Sequence, residues 1–255
     1  GVSEKLPPYA EELSEGRPER PLEAPRVRQS CVIEEVWEES RAYIGLRVAI
    51  DEPFAHSYER PGQYVTLSPN HVEPRFLVIA SGPGEASADG WEFLVDRHTS
   101  LGQSIDPLET GALLEISPPE GPGYPVDEVA GRTVLSFATG SGIASIRPAI
   151  QYWQAHPDLA PAEIAIYYGE SRSDDFAYTE EMADWEGRGI RLYRCDSSIG
   201  PDQPGYRYVQ HAFEADAPDL DGAAVFISGA SVMKRMVIEH LLERGFPLES
   251  IVTNI

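Results

Sequence analysis

Hydrophobic and polar positions fall into two textures along the chain. Between residues 26 and 117 the apolar residues come in short alternating or continuous runs, at 26–37, 42–50, 63–68, 76–81, 91–96 and 112–117, with hardly any helical period among them. Breakers such as Pro61-Gly62, Gly82-Pro83-Gly84, Asp89-Gly90 and Thr110-Gly111 separate these runs. Successive side chains point to opposite faces of a strand, so six such runs in close succession predict an antiparallel barrel or sandwich. Residues 118–131, dense in proline and glycine, read as a linker. The period then changes: apolar runs at 133–138, 163–168, 190–195, 223–228 and 250–255 alternate with helical spacing at 143–156, 179–186, 209–215 and 231–244. Strands alternating with helices predict a parallel sheet covered on both faces. The expected fold is therefore two-domain, with an N-terminal antiparallel six-stranded β-barrel at 26–117 and a C-terminal α/β five-stranded parallel sheet at 132–255. Residues 1–25, rich in proline and glutamate without apolar period, read as an extended or disordered arm.

Residues 133–156 carry the most chemistry. An uncharged run meets Thr139-Gly140-Ser141-Gly142, and a helical pattern starts at Ile143. Glycine tolerates positive φ and has no Cβ to keep a ligand from the backbone. The free N–H groups and positive dipole end of the following helix suit a pyrophosphate. A plain strand-to-helix turn would use the same residues. In open parallel sheets ligands bind beyond the carboxyl ends of the strands, where strand order reverses. Gly140 and Gly229, ending the first and fourth strands of the second half, suit that crevice.

Charge narrows the partners. The 42 acidic residues against 20 basic ones give a net charge of −22, and Lys5 and Lys234 are the only lysines. Such a field repels nucleic acid and anionic membrane. It is also the balance expected of a cytoplasmic protein kept soluble in a high-salt interior, where screening is strong. Two distant cysteines, Cys31 and Cys195, make neither a disulfide framework nor a four-thiolate metal site. No apolar run reaches the ~20 residues of a membrane span.

Several motifs follow one another in order: Arg60-Pro61-Gly62-Gln63-Tyr64-Val65, Arg75-Phe76-Leu77-Val78-Ile79-Ala80-Ser81, Thr139-Gly140-Ser141-Gly142-Ile143-Ala144, Tyr168-Gly169-Glu170-Ser171-Arg172, and Ser228-Gly229-Ala230-Ser231-Val232-Met233. Together they resemble the ferredoxin-NADP reductase superfamily, and more narrowly its plant branch of FAD/NAD(P)-binding oxidoreductases that includes a fruit-ripening protein. The resemblance implies a flavoprotein that binds FAD and NADPH or NADH, passes a hydride between them, and hands electrons to a separate acceptor such as a redox protein, with no metal. It implies flavin contacts from Arg75, Phe76, Leu77 and Val78, from Val95, Thr99 and Ser100, and from the chain end at Ile255. It implies nicotinamide-nucleotide contacts from Thr139, Gly140, Ser141, Gly142 and Ile143, from Ser171, Arg172, Ser197, Tyr208 and Gln210, and from Gly229 and Met233. Ser228 takes the catalytic place of a cysteine beside the nicotinamide.

Leu77 and Val78 depart from the tyrosine and serine of the family's flavin motif. Together with Ser228 they leave open a nucleotide-binding module that has lost flavin, while the acidic surface leaves open an electron-transfer component for a dedicated oxygenase, globin or ferredoxin.

Overall fold

The alternating runs of the first half fold into six antiparallel strands in a computed structural model that describes residues 28–69, 72–84 and 89–254. They are β1 (Gln29–Glu38), β2 (Tyr43–Val48), β3 (Tyr64–Pro69), β4 (Arg75–Val78), β5 (Trp91–Asp96) and β6 (Leu113–Ile116). Their spatial order is β4-β3-β6-β1-β2-β5. Just past β4 the Ala80 N–H donates to the Glu92 carbonyl of β5 at 2.8 Å, so the outer strands almost close a barrel. Alternation places Ile33, Leu46, Val65, Leu67, Trp91, Phe93 and Ile116 inside it. Two short helices, α1 (Glu52–Ala55) and α2 (Ser100–Ile105), interrupt the all-strand pattern expected there. Both are too short for a 3.6-residue period to register in the sequence. Leu101 and Ile105 of α2 join the barrel core.

The second half alternates as expected: β7 (Thr133–Thr139), α3 (Ile143–Ala155), β8 (Glu163–Glu170), α4 (Thr179–Gly187), β9 (Arg191–Asp196), α5 (Val209–Asp216), β10 (Ala224–Ser228), α6 (Ser231–Glu243) and β11 (Ile251–Thr253). All five strands are parallel in the order β11-β10-β7-β8-β9. Strand period and helix faces agree. Val134 and Ala138 of β7 pack with α3 and α4, while Leu135 and Phe137 pack with α5 and α6. Strand order reverses between β7 and β10, and that reversal fixes where a crevice opens. The proposed arm at 1–25 and residue 255 lie outside the described residues.

Barrel and sheet share one core. Ala42, Tyr43, Ala80 and Leu94 of the barrel lie in the same buried cluster as Ile143, Ala144 and Ile146 of α3. Tyr124 of the linker stacks on Phe226 of β10 at 4.5 Å between ring centroids. Arg147 of α3 clamps the seam: it binds Glu181 of α4 at 2.7 Å, donates to the Ala80 carbonyl at 3.1 Å and pairs with Glu92. On the β1–β2 hairpin, Arg41 pairs with Asp175 at 2.6 Å, and Glu39 accepts from the Tyr178 amide at 2.7 Å. A continuous apolar seam with partly buried ion pairs holds the two halves in one orientation.

Candidate functional site

At the strand-order reversal two turns interlock. After β7 the chain makes a 3-10 turn over Gly140–Gly142 that runs straight into α3. Gly140 takes φ +59° and Gly229 takes φ +128°, both in the region that favours glycine. A Cβ at Gly142 would sit 2.5 Å from the Ser228 carbonyl oxygen, and one at Gly229 would strike the Thr139 hydroxyl and backbone. Thr139 Oγ1 in turn accepts from the Ala230 N–H at 3.0 Å. Each turn therefore leaves room only for the bare backbone of the other. Their convergence forms a cradle of main-chain atoms at a helix start.

The cradle floors a cavity of about 1080 Å³ between barrel and sheet. That volume is at the upper end of small-molecule pockets. Phe76, Leu77 and Val78 of β4 form one wall, and Thr139, Gly140, Ser141 and Gly142 lie opposite. Ser171, Ser197, Tyr208 and Gln210 line one end, with Ser228, Gly229 and Met233 beside the cradle. Ser228 is 2% exposed at the end of β10.

Other sequence-derived residues lie off the cavity wall. Arg75 is half-exposed and pairs with Glu73 at 3.5 Å. Val95 points into the barrel core and Ile143 into the seam core. Thr99 caps α2: its hydroxyl donates to the Asp96 carbonyl at 2.7 Å and accepts from the Gly102 N–H at 3.0 Å. Ser100 is the exposed first residue of α2, and Arg172 is exposed beside Asp174 at 3.6 Å. Ile255 lies outside the described residues.

Further residues line the cavity beside the site positions above. Tyr43 of β2, Leu94 and Asp96 of β5, Glu170 of β8 and Arg207 all line it. Arg207 donates to the Ser197 carbonyl at 3.2 Å and stacks its guanidinium over Tyr208 at 5.5 Å. Glu170 is 8% exposed and accepts from the Tyr168 hydroxyl at 2.7 Å. Burial raises its carboxyl from 4.5 to about 7, against the hydrogen bonds from Tyr168 and Tyr43 that favour the ionised form. Tyr43 is itself pushed up by burial and by the charge of Glu170. A carboxylate at a strand end ordinarily reads as solvated; only the barrel docking over it could have signalled otherwise. Among the described residues no His/Cys/Asp/Glu group is arranged to hold a metal ion, and no helix is long and apolar enough to cross a membrane.

Fold and crevice define a two-domain class in which a main-chain cradle on a parallel sheet faces a β-barrel. The oxidoreductase NAD-binding domain family model matches residues 137–239, and the described residues have the ferredoxin-NADP reductase fold. A ferredoxin NADP+ reductase from Neisseria gonorrhoeae, solved with bound FAD and NADP, superposes with a TM-score of 0.75 at 14% identity, covering 89% of this chain and 98% of that one. The sulfhydrogenase 2 gamma subunit of Pyrococcus furiosus is 22% identical over 201 residues, 73% of this chain and 68% of that protein. An NADPH-dependent diflavin oxidoreductase 1 from Eremothecium gossypii is 26% identical over 212 residues, 75% of this chain; the match spans only 33% of that longer protein.

Proposed function

We propose that the chain is an FAD-containing oxidoreductase that takes a hydride from NADPH or NADH and delivers electrons to a separate acceptor. The observation that carries this reading is the cavity whose two walls are the interlocked glycine turns and the apolar face of β4. A bound flavin would supply the redox chemistry, accepting the hydride and releasing electrons onward. The protein's own part is positioning, since holding reacting atoms ~3–3.5 Å apart in the right orientation is a large rate factor.

The residues present suit such a group. Phe76, Leu77 and Val78 offer an apolar wall to a planar ring, without a stacking phenol or a hydroxyl donor. Among the described residues Arg75 has an exposed pair with Glu73, worth ~0–1 kcal/mol, so a diphosphate can recruit its guanidinium. The amides of Gly140–Gly142 would cradle the nucleotide diphosphate, and Ser228, in the cavity lining, would stand beside the nicotinamide. Ser171, Ser197, Arg207 and Tyr208 gather hydroxyls and one guanidinium at one end of the cavity, a donor set that suits a 2′-phosphate and favours NADPH. The net charge of −22 steers the protein toward a basic acceptor protein.

The test is spectroscopic. Protein reconstituted with FAD is expected to show the flavin absorption band and to lose it under anaerobic NADPH faster than under NADH. Leu77 and Val78 support a second reading, a nucleotide-binding module without flavin. Protein that stays colourless after incubation with FAD or FMN, yet binds NADP+, would select it.

A further inference from the structure

Glu170 is a buried carboxyl at the seam between barrel and sheet. Its carboxyl lies at the carboxyl end of β8 on the cavity wall, with 8% exposure and, among the described residues, no ion pair. The groups facing it come from both domains. Tyr168, on its own strand, donates to it at 2.7 Å, the Tyr43 hydroxyl reaches it from β2 of the barrel, and the Ser171 amide adds a third donor. Asp175 is the nearby like charge, and its own charge is met by Arg41 at 2.6 Å. Asp96 of β5 faces Tyr43 from the barrel side and lines the same cavity. Tyr43 also marks how close this carboxyl is to the cradle, for a Cβ added at Gly140 would lie 3.3 Å from its hydroxyl oxygen.

We propose that Glu170 couples nucleotide binding to uptake of a proton: the phosphate charge of an incoming nicotinamide nucleotide is accommodated by the protonated carboxyl and opposed by the carboxylate. The proposal rests on reading the cavity as a nucleotide site. A like charge arriving within a few ångströms of a desolvated carboxylate disfavours its ionised form. Protonation turns it from a repelling acceptor into an O–H donor. The position of its titration near neutrality places this coupling in a range where ordinary buffers reveal it. By linkage, whatever makes the bound state hold more protons weakens binding as pH rises, by up to tenfold per pH unit for one proton.

The experiment is calorimetric titration of the FAD-reconstituted protein with NADP+ between pH 6.5 and 8.5, in buffers of different ionisation enthalpy. Wild type and Glu170→Gln are compared, so that titration of the ligand's own 2′-phosphate is common to both. Expected are an additional uptake approaching one proton per NADP+ at the alkaline end in the wild type, and an affinity that falls with pH more steeply than in the variant. Tyr43→Phe, which removes a donor favouring the carboxylate, is expected to move the midpoint of that extra pH dependence to higher pH. Equal proton uptake and equal pH slopes in wild type and Glu170→Gln overturn the proposal. Absence of NADP+ binding in wild type and variants at every pH overturns the nucleotide reading itself, and the coupling with it.

Discussion

Replacing Gly142 by alanine tests the interlocked turns directly. The added methyl would lie 2.5 Å from the Ser228 carbonyl oxygen, 2.6 Å from its carbon and 2.9 Å from the Gly229 nitrogen. All three are backbone atoms at the end of β10, so no side chain can swing aside. The β7 turn and the end of β10 have to part by more than half an ångström, which disturbs the hydrogen bond from the Ala230 N–H to Thr139. Overpacking a close-packed contact costs about 1–3 kcal/mol, and with only main chain to move Gly142→Ala is expected near the top of that range. Because the same parting deforms the cradle, NADP+ affinity is expected to fall at least tenfold, roughly 1.4 kcal/mol. Gly131→Ala serves as the control: Gly131 has φ +70° with no atom within 4 Å of a new Cβ. It should cost about 1–2 kcal/mol for the left-handed backbone alone and leave NADP+ binding unchanged. Urea midpoints and NADP+ titrations on both variants provide the measurements. Unchanged nucleotide affinity in Gly142→Ala, or parallel binding losses in both variants, would refute the idea that the two turns build the site.

Arg147→Met takes the counter-ion from Glu181 and leaves Glu92 with Arg47 at 3.6 Å, and should cost roughly 3 kcal/mol in urea unfolding, the penalty of a broken, largely buried pair. Arg207→Ala is expected to weaken NADP+ binding by about tenfold or more, the worth of a charge-assisted hydrogen bond, with NAD+ affinity little changed. A carboxyl raised from 4.5 to about 7 by folding stabilises the native state below pH 4.5 and loses that contribution as pH climbs through 7, about 3 kcal/mol at 1.36 kcal/mol per pH unit. Glu170→Gln should therefore gain on the wild type by that amount between pH 4.5 and pH 8, read as a difference of urea midpoints; a pH-independent difference would argue against the buried titration. Thermal midpoints are expected to rise from dilute buffer to molar potassium chloride, as self-repulsion from the −22 charge is screened.

What could be read along the chain is what local rules write there. Period two and period 3.6 are properties of neighbouring residues, so the six barrel strands and the alternating second half were legible. Helices α1 and α2 were hidden because four and six residues hold barely one turn. The cradle was legible for the same local reason: Gly140, Gly142 and Gly229 mark places where only main chain fits, and the turn chemistry that demands glycine acts within a few residues. Side-chain direction is a different matter. Arg75, Thr99 and Arg172 stand on elements near the cavity, yet their partners are Glu73, Gly102 and Asp174, each within three residues in sequence.

Glu170 is the converse case. Glu170 belongs to a strand end rich in polar neighbours, and nothing in residues 168–172 requires its burial. The barrel imposes it, by bringing Tyr43 over the end of β8 and holding it there through Arg41–Asp175 and Arg147–Glu92. The charge state of Glu170 is thus set by a docking that the pattern of either domain alone does not contain. If the seam is the cause, loosening it with Arg147→Met should lower the carboxyl back toward its solvated range and flatten the pH dependence of stability, although the partners of Arg147 are Glu92, Glu181 and the Ala80 carbonyl.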